Sequence, residues 1–361
     1  MSASAPEGAT PEIVTLVRDK IKLEDQAAKS SIVEVPGEES DDGLRRIGVI
    51  DLPSFYLDTA GRAQGQKDYR STTRDVQRLL EEMKASDQGV DGVIIDLRGN
   101  GGGSLVEATQ LTGIFIESGP IVQIKDADGA VSAQQDKDPT IVYDGPLAVL
   151  VDRNSASASE IFAAAIQDYG RGIVLGEPTF GKGTVQSVVP LDRDGKLGQL
   201  KITTAQFFRV NGEGTQFRGV VPDVLFPTAM DSVAQGERGL DNALEWAEVN
   251  AGNYVKWSKE QPDYSNLQSL HESRYRDSDW FDLLIEELET QQADRDQQEV
   301  SLVETIREQE NADRGTDLED RLQLFRKAFG ASGNNDDEGD AIPDIILEEA
   351  ANVLLDVVDN T

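Results

Sequence analysis

The hydrophobic pattern of this chain changes character several times between its ends. Residues 11–25 (PEIVTLVRDKIKLED) alternate apolar and polar around Val14, Leu16 and Ile21, which predicts an extended strand. Residues 36–44 (PGEESDDGL) are polar, contain Pro and Gly, and predict a linker. A regular alternation of strand and helix then begins. Ile47–Leu52 reads as a strand, and the apolar positions Val76, Leu79, Leu80 and Met83 recur at helical spacing within 73–84. Val93–Leu97 reads as a buried strand, followed by a glycine-rich loop and a helix over 105–116. Leu147–Val151 is another strand, and a helix from about Ser157 ends at Tyr169, where Gly170 stops it. Ile173–Leu175, Thr184–Pro190 and Leu200–Val210 complete the strands. This order predicts an α/β core built on a largely parallel sheet.

Beyond about residue 230 the strand signals stop. Polar, Gln/Glu-rich helical patterns replace them, as in 280–290 and 300–310, with a loop predicted at 331–340. Residues 271–361 carry 26 acidic against 8 basic residues, so over half of the net charge of −33 sits in a quarter of the 361-residue chain. The division expected is a strand and linker over 1–43, an α/β core over 44–230 and an acidic helical domain over 231–361. An acidic surface of this kind repels phosphate backbones, which argues against nucleic acid as a partner. No apolar run approaches the ~20 residues of a membrane span. Met1–Gly8 lacks the basic and apolar regions of a signal peptide. The loop at 334–345 echoes a calcium loop, but Ile345 stands where a glutamate ligand is required, so calcium is rejected.

Composition narrows the chemistry further. The chain has no cysteine and a single histidine, His271, inside the acidic helical region. Thiolate nucleophiles, thiolate metal sites and two-histidine metal sites are therefore excluded. Three serines at alternate positions, Ser155, Ser157 and Ser159, stand where a strand yields to a helix. Unpaired N–H groups and the helix dipole would stabilise negative charge developing there. Ser157-Ala158-Ser159-Glu160 also fits a capping box, so the same serines have a structural explanation. Lys182 lies in PTFGKGT, small and apolar surroundings in which a lysine can lose its proton and act as a general base. Ser–Lys is the hydrolytic pair that the composition leaves open. Gly101, Gly102 and Gly103 let backbone approach a ligand and present N–H donors, as an oxyanion hole requires. The segment 176–183 nearly spells a phosphate-binding loop, but Gly183 replaces the metal-binding hydroxyl and a β-branched run closed by Pro190 follows where a helix is needed.

Taken together, DLRGNGGG (96–103), VDRNSASASEIFAAA (151–165), GEPTFGKGTVQ (176–186), FFRVNG (207–212) and GVVPDV (219–224) resemble the C-terminal processing or tail-specific proteases, Ser–Lys peptidases of the S41 type. The similarity is greatest to long bacterial periplasmic members with a helical C-terminal extension. It implies a protease core with a mixed, largely parallel sheet flanked by helices, plus an α-helical C-terminal domain. It also implies Ser157 as nucleophile, Lys182 as base, Gln186 as the residue orienting the lysine, and the backbone N–H groups of Ala158 and Gly103 as oxyanion donors. No metal or cofactor is implied. Substrates would be proteins or peptides recognised at or near their C-termini, in the periplasm. Residues 12–24 would be the closing strand of a PDZ domain most of which lies outside this chain. Residues 1–40 are accordingly expected to be poorly ordered or to stick to a neighbour, with the core folding from about Leu44.

Overall fold

The computed structural model describes residues 27–37, 43–227 apart from 87, 193 and 195, 236–257, 264–276, 301–309 and 344–359, with isolated positions at 285–290 and 312. The predicted strand at 11–25 and the loop at 331–340 lie outside these residues, as does most of the helix predicted over 280–290. Residues 304–309 are helical.

Two sheets form the core. The larger has the order β1-β2-β3-β6-β7-β10, with β1 Lys29–Pro36, β2 Leu44–Asp51, β3 Gly92–Asp96, β6 Leu147–Val151, β7 Ile173–Gly176 and β10 Val224–Leu225. Its pairings are parallel from β2 to β10, and β1 closes the edge antiparallel to β2. The smaller sheet, which the sequence pattern did not separate from the first, is antiparallel. It has the order β5-β4-β9-β8, with β4 Gly119–Asp126, β5 Val131–Asp136, β8 Thr184–Pro190 and β9 Gln199–Phe208.

The central strands read as continuous apolar runs because both faces of the larger sheet are covered. Side chains alternate accordingly. Val93, Ile95 and Leu97 pack into one cluster with α2 Thr72–Ala85, α3 Leu105–Gly113 and α4 Ala158–Tyr169, while Ile94 packs into the other. That second cluster is formed with α5 Leu267–Arg276 and α6 Ile345–Asp359, from which Leu354, Val353 and Ala350 are fully buried. A Cβ added at Gly92 would lie 2.8 Å from Leu354 Cδ2, so α6 sits directly on the sheet. A short helix, α1 Thr59–Ala63, connects β2 to α2.

One expectation needs correction. Residues 29–36 are a core strand in register with β2 along its whole length, Lys29 opposite Asp51 and Pro36 opposite Leu44. The core therefore begins before Leu44. Two helices of the acidic C-terminal region, α5 and α6, supply the layer that covers the second face of the larger sheet. Among the described residues, no helix is long and apolar enough to cross a membrane.

Candidate active site

Three neighbouring parallel strands, β3, β6 and β7, each end in a loop that enters the same cleft. Crevices at the carboxyl ends of such strands are the usual ligand sites of open α/β sheets. The cleft has a volume of about 490 Å³ and is bordered by Gly101, Gly102, Gly103, Ser157, Ala158, Lys182 and Gln186. All five residues singled out by the resemblance thus meet in one place. Leu105, Ile161, Val185 and Phe207 give it an apolar wall, and Lys201 adds a second cation at its margin.

The structure separates the three serines. Ser155 is fully buried, and its hydroxyl donates to Leu97 O at 2.8 Å while accepting from Asp152 N–H at 2.9 Å. Ser159 is fully buried and donates to Asn100 O at 2.8 Å. Both tie the nucleophile turn to the glycine loop. Ser157 is half-buried and lines the cleft. It sits at the head of α4 with φ 57° and ψ −107°, a backbone conformation that costs a residue with a side chain about 1–3 kcal/mol. Surrounding bonds hold the turn there. Ala156 N–H donates to Asn100 O at 3.0 Å, and Asp152 Oδ1 accepts from Gly99 N–H at 2.9 Å and Ser155 N–H at 3.0 Å. Ala158 is the first residue of α4, where N–H groups have no intrahelical carbonyl to reach.

Glycine is required where the loop meets this turn. A Cβ on Gly102 would fall 2.6 Å from Ala156 O and 2.9 Å from Ser157 Cβ. Gly103, at φ 143°, would drive a Cβ to 2.2 Å from Phe55 O. Gly102 N–H is occupied by Asn100 Oδ1 at 2.9 Å, which removes it from the set of oxyanion donors.

Glu160 is the residue whose importance the capping-box reading understated. It is fully buried and gathers four donors: Ser157 N–H at 2.7 Å, Thr179 Oγ1 at 2.7 Å, Gly181 N–H at 2.7 Å and Lys182 N–H at 2.9 Å. One carboxylate therefore fastens the nucleophile turn to the loop carrying Lys182. Burial pushes its pKa up to about 7, although these four hydrogen bonds pull the other way. Lys182 itself is only partly buried. Gln186 is exposed at the start of β8, where a bulge between Val185 and Gln186 redirects the strand. Gln216, buried against Gly183, carried no signal in the sequence pattern because it lies between two recognisable motifs.

His271 is far from this chemistry. It is fully buried on the opposite face of the larger sheet, with Nδ1 2.9 Å from Glu349 and its ring stacked on Phe226 at 4.6 Å. The cleft contains no histidine.

Known proteins resemble this chain along almost its whole length. The model of peptidase family S41 matches residues 46–226, and that of the C-terminal domain of tail specific protease matches residues 230–359. The tail-specific protease of Haemophilus influenzae is 39% identical over 369 residues, covering 98% of this chain and 49% of that protein. Carboxyl-terminal-processing peptidase 2, chloroplastic, of Arabidopsis thaliana is 33% identical over 221 residues, covering 61% of this chain and 39% of that protein. A solved photosystem II D1 C-terminal processing protease aligns at 30% identity and a TM-score of 0.46, over 58% of this chain and 50% of that one. The chain spans half or less of the length of these relatives.

Proposed function

The chain belongs to peptidase family S41, and from that premise we propose that it is a serine endopeptidase of the tail-specific class working through a Ser157–Lys182 pair. The observation that carries this is the separation of the serines. Ser157 alone faces the cleft, beside Lys182 and the head of α4, while its two neighbours are consumed in buried hydrogen bonds.

In this reading Ser157 Oγ attacks the carbonyl carbon of the scissile bond as its proton passes to Lys182 Nζ. The N–H groups of Ala158 and Gly103 hold the resulting oxyanion. Collapse breaks the carbon–nitrogen bond, Lys182 returns the proton to the leaving amine, and an ester to Ser157 remains. Water then attacks that ester, giving its proton to Lys182, and the acid leaves as Ser157 recovers its hydrogen. Gln186 orients the lysine. Substrates are unfolded or C-terminally tagged polypeptides.

Digestion of β-casein, followed by mass spectrometry of the products, tests this. The wild-type chain should cut it, and Ser157→Ala and Lys182→Arg should not, since a guanidinium stays protonated. Cleavage by either variant at the wild-type rate would refute the mechanism.

A further inference from the structure

The loop that carries Lys182 is held from two sides, and only one of them is the nucleophile helix. On that side Glu160 accepts from Gly181 N–H and Lys182 N–H. On the other, Gly183 N–H donates to Gln216 Oε1 at 2.8 Å. Gln216 is 2% exposed, and its amide nitrogen donates to Glu237 Oε1 and to Leu244 O, each at 3.1 Å. The oxygen end of the amide meets a donor and the nitrogen end meets two acceptors, so a single orientation satisfies all three partners. The next residue strengthens the contact. Phe217 adopts φ 71°, rarely seen for a bulky residue, and its N–H donates to Gly181 O at 2.7 Å. Backbones also touch here, since a Cβ on Gly183 would lie 2.5 Å from Gln216 N. Segment 237–244 reaches the same loop a second time, through Glu237 N–H to Phe180 O at 2.9 Å.

We propose that Gln216 is a positioning residue for the base, pinning the peptide after Lys182 to residues 237–244 so that the segment following the protease core holds the lysine in place. The inference rests on the reading of Lys182 as base. Gln216 does not border the cleft, so it acts on the reaction through the lysine's backbone and not through substrate. A long, flexible lysine side chain is only as well placed as its anchor, and proton transfer is steep in that placement. Removing the anchor on one flank should therefore lower kcat and leave KM alone. The structure also places control of the base partly within the C-terminal region, whose matched domain begins at residue 230.

The test uses the full chain and a quenched-fluorescent unstructured peptide. Gln216→Met keeps the side chain's length and removes its amide. It should lower kcat about tenfold or more, with KM within about twofold. Gln216→Glu keeps the acceptor for Gly183 N–H but sets a carboxylate against Glu237, and should also lower kcat. Adding Glu237→Gln restores a donor to that pair and should recover most of the loss, which general destabilisation would not allow. Should Gln216→Met fail to fold, this pair of variants decides the matter. Hydrogen exchange at residues 180–183 in a Ser157→Ala background, faster once Gln216→Met is added, reads the same contact without catalysis. If the wild type cleaves no peptide, the protease reading fails and the exchange rates still decide whether Gln216 holds the loop. An unchanged kcat in Gln216→Met, a loss confined to KM, or unchanged exchange at 180–183 would overturn the proposal.

Discussion

The two faces of the larger sheet are equally apolar and do different things. On one, α3 and α4 follow β3 and β6 closely in sequence, and the loops joining them to those strands, together with the loop after β7, build the cleft. On the other, α5 and α6 arrive from beyond residue 260 and contribute buried side chains such as Leu267 and Leu354, with no residue in the cleft. Strand alternation makes this division possible, because neighbouring residues such as Ile94 and Ile95 serve opposite layers. The lesson is that burial and chemistry are assigned to opposite sides of one element, so a single substitution can remove either without the other.

Ser157→Ala and the substitutions beside it should separate chemistry from stability most strongly. On the first face, Ser157→Ala should lower kcat/KM by ~10³-fold or more with little change in Tm. Ser155→Ala and Ser159→Ala should keep measurable activity but lose stability, about 1–3 kcal/mol each, because each leaves buried groups unpaired. Peptide-cleavage kinetics and thermal unfolding on the same preparations decide this. Full activity in Ser157→Ala would end the assignment.

On the second face, Leu354→Ala removes a fully buried side chain packed on Gly92. It should cost about 2–5 kcal/mol by denaturant titration, depending on how far the site collapses. Activity per folded molecule should stay at the wild-type level. A large fall in kcat at a temperature where the variant is folded would mean that the second face reaches the cleft after all.

Much of the first face was legible in sequence. Val76, Leu79, Leu80 and Met83 announce α2, Gly170 in the left-handed conformation ends α4 as expected, and the glycine loop follows β3 where the pattern placed it. The second face was not. GVIID and LAVLV are buried on both sides, so a second layer had to exist, but nothing local says which of the later segments supplies it. Edge strand β1 was missed for a related reason. Its residues, KSSIVEVP, are mostly exposed, and what orders them is the antiparallel pairing with β2 along their whole length. In the cleft, side chains that react were legible because they sit in compact motifs. Those that position them were less so, because Glu160 and Gln216 act on a loop more than twenty residues away.

Within the first face, Glu160 separates stability from activity by pH. Its pKa is raised from 4.5 to about 7, so the folded state holds a proton that the unfolded state releases earlier. Its contribution to stability is therefore fully present below pH ~4.5 and is lost as pH rises toward 7. Activity should run the opposite way. Both oxygens accept two hydrogen bonds from the nucleophile turn and the base loop, and a proton placed on either oxygen faces donors. Cleavage should thus fall as pH drops through about 7 while this residue's share of stability grows. Glu160→Gln places an amide N–H₂ against two of those donors and should lower kcat about tenfold or more at pH 8. It should also flatten the part of the acid limb that belongs to residue 160. An acid limb unchanged in Glu160→Gln would assign the whole limb to another group.

The smallest effect is expected where the two faces touch. Arg98, just before the glycine loop, grips Asp96 at the end of β3 and reaches over to Asp344 at the start of α6, with 2.6 Å and 2.5 Å ion pairs. Burial alone would raise the Asp344 carboxyl, but the Arg98 guanidinium overrides it and holds it below the usual carboxylate range. Asp344 Oδ1 also accepts from Leu347 N–H at 3.0 Å, so this residue caps the helix as well as pairing. Asp344→Asn separates the two roles, since asparagine caps about as well as aspartate and carries no charge. The pair's stabilisation is present above the ordinary aspartate range and disappears as pH falls through the depressed value. With the Asp344 side chain 44% exposed, solvent screens the interaction and the loss should stay below about 1 kcal/mol. Added salt should shrink that difference further. Because Asp96 keeps its own hold on Arg98, the glycine loop should not move, and kcat in Asp344→Asn should remain within about twofold of wild type. A loss of kcat at unchanged Tm would show that α6 steers the oxyanion loop, and the division of labour between the two faces would fall.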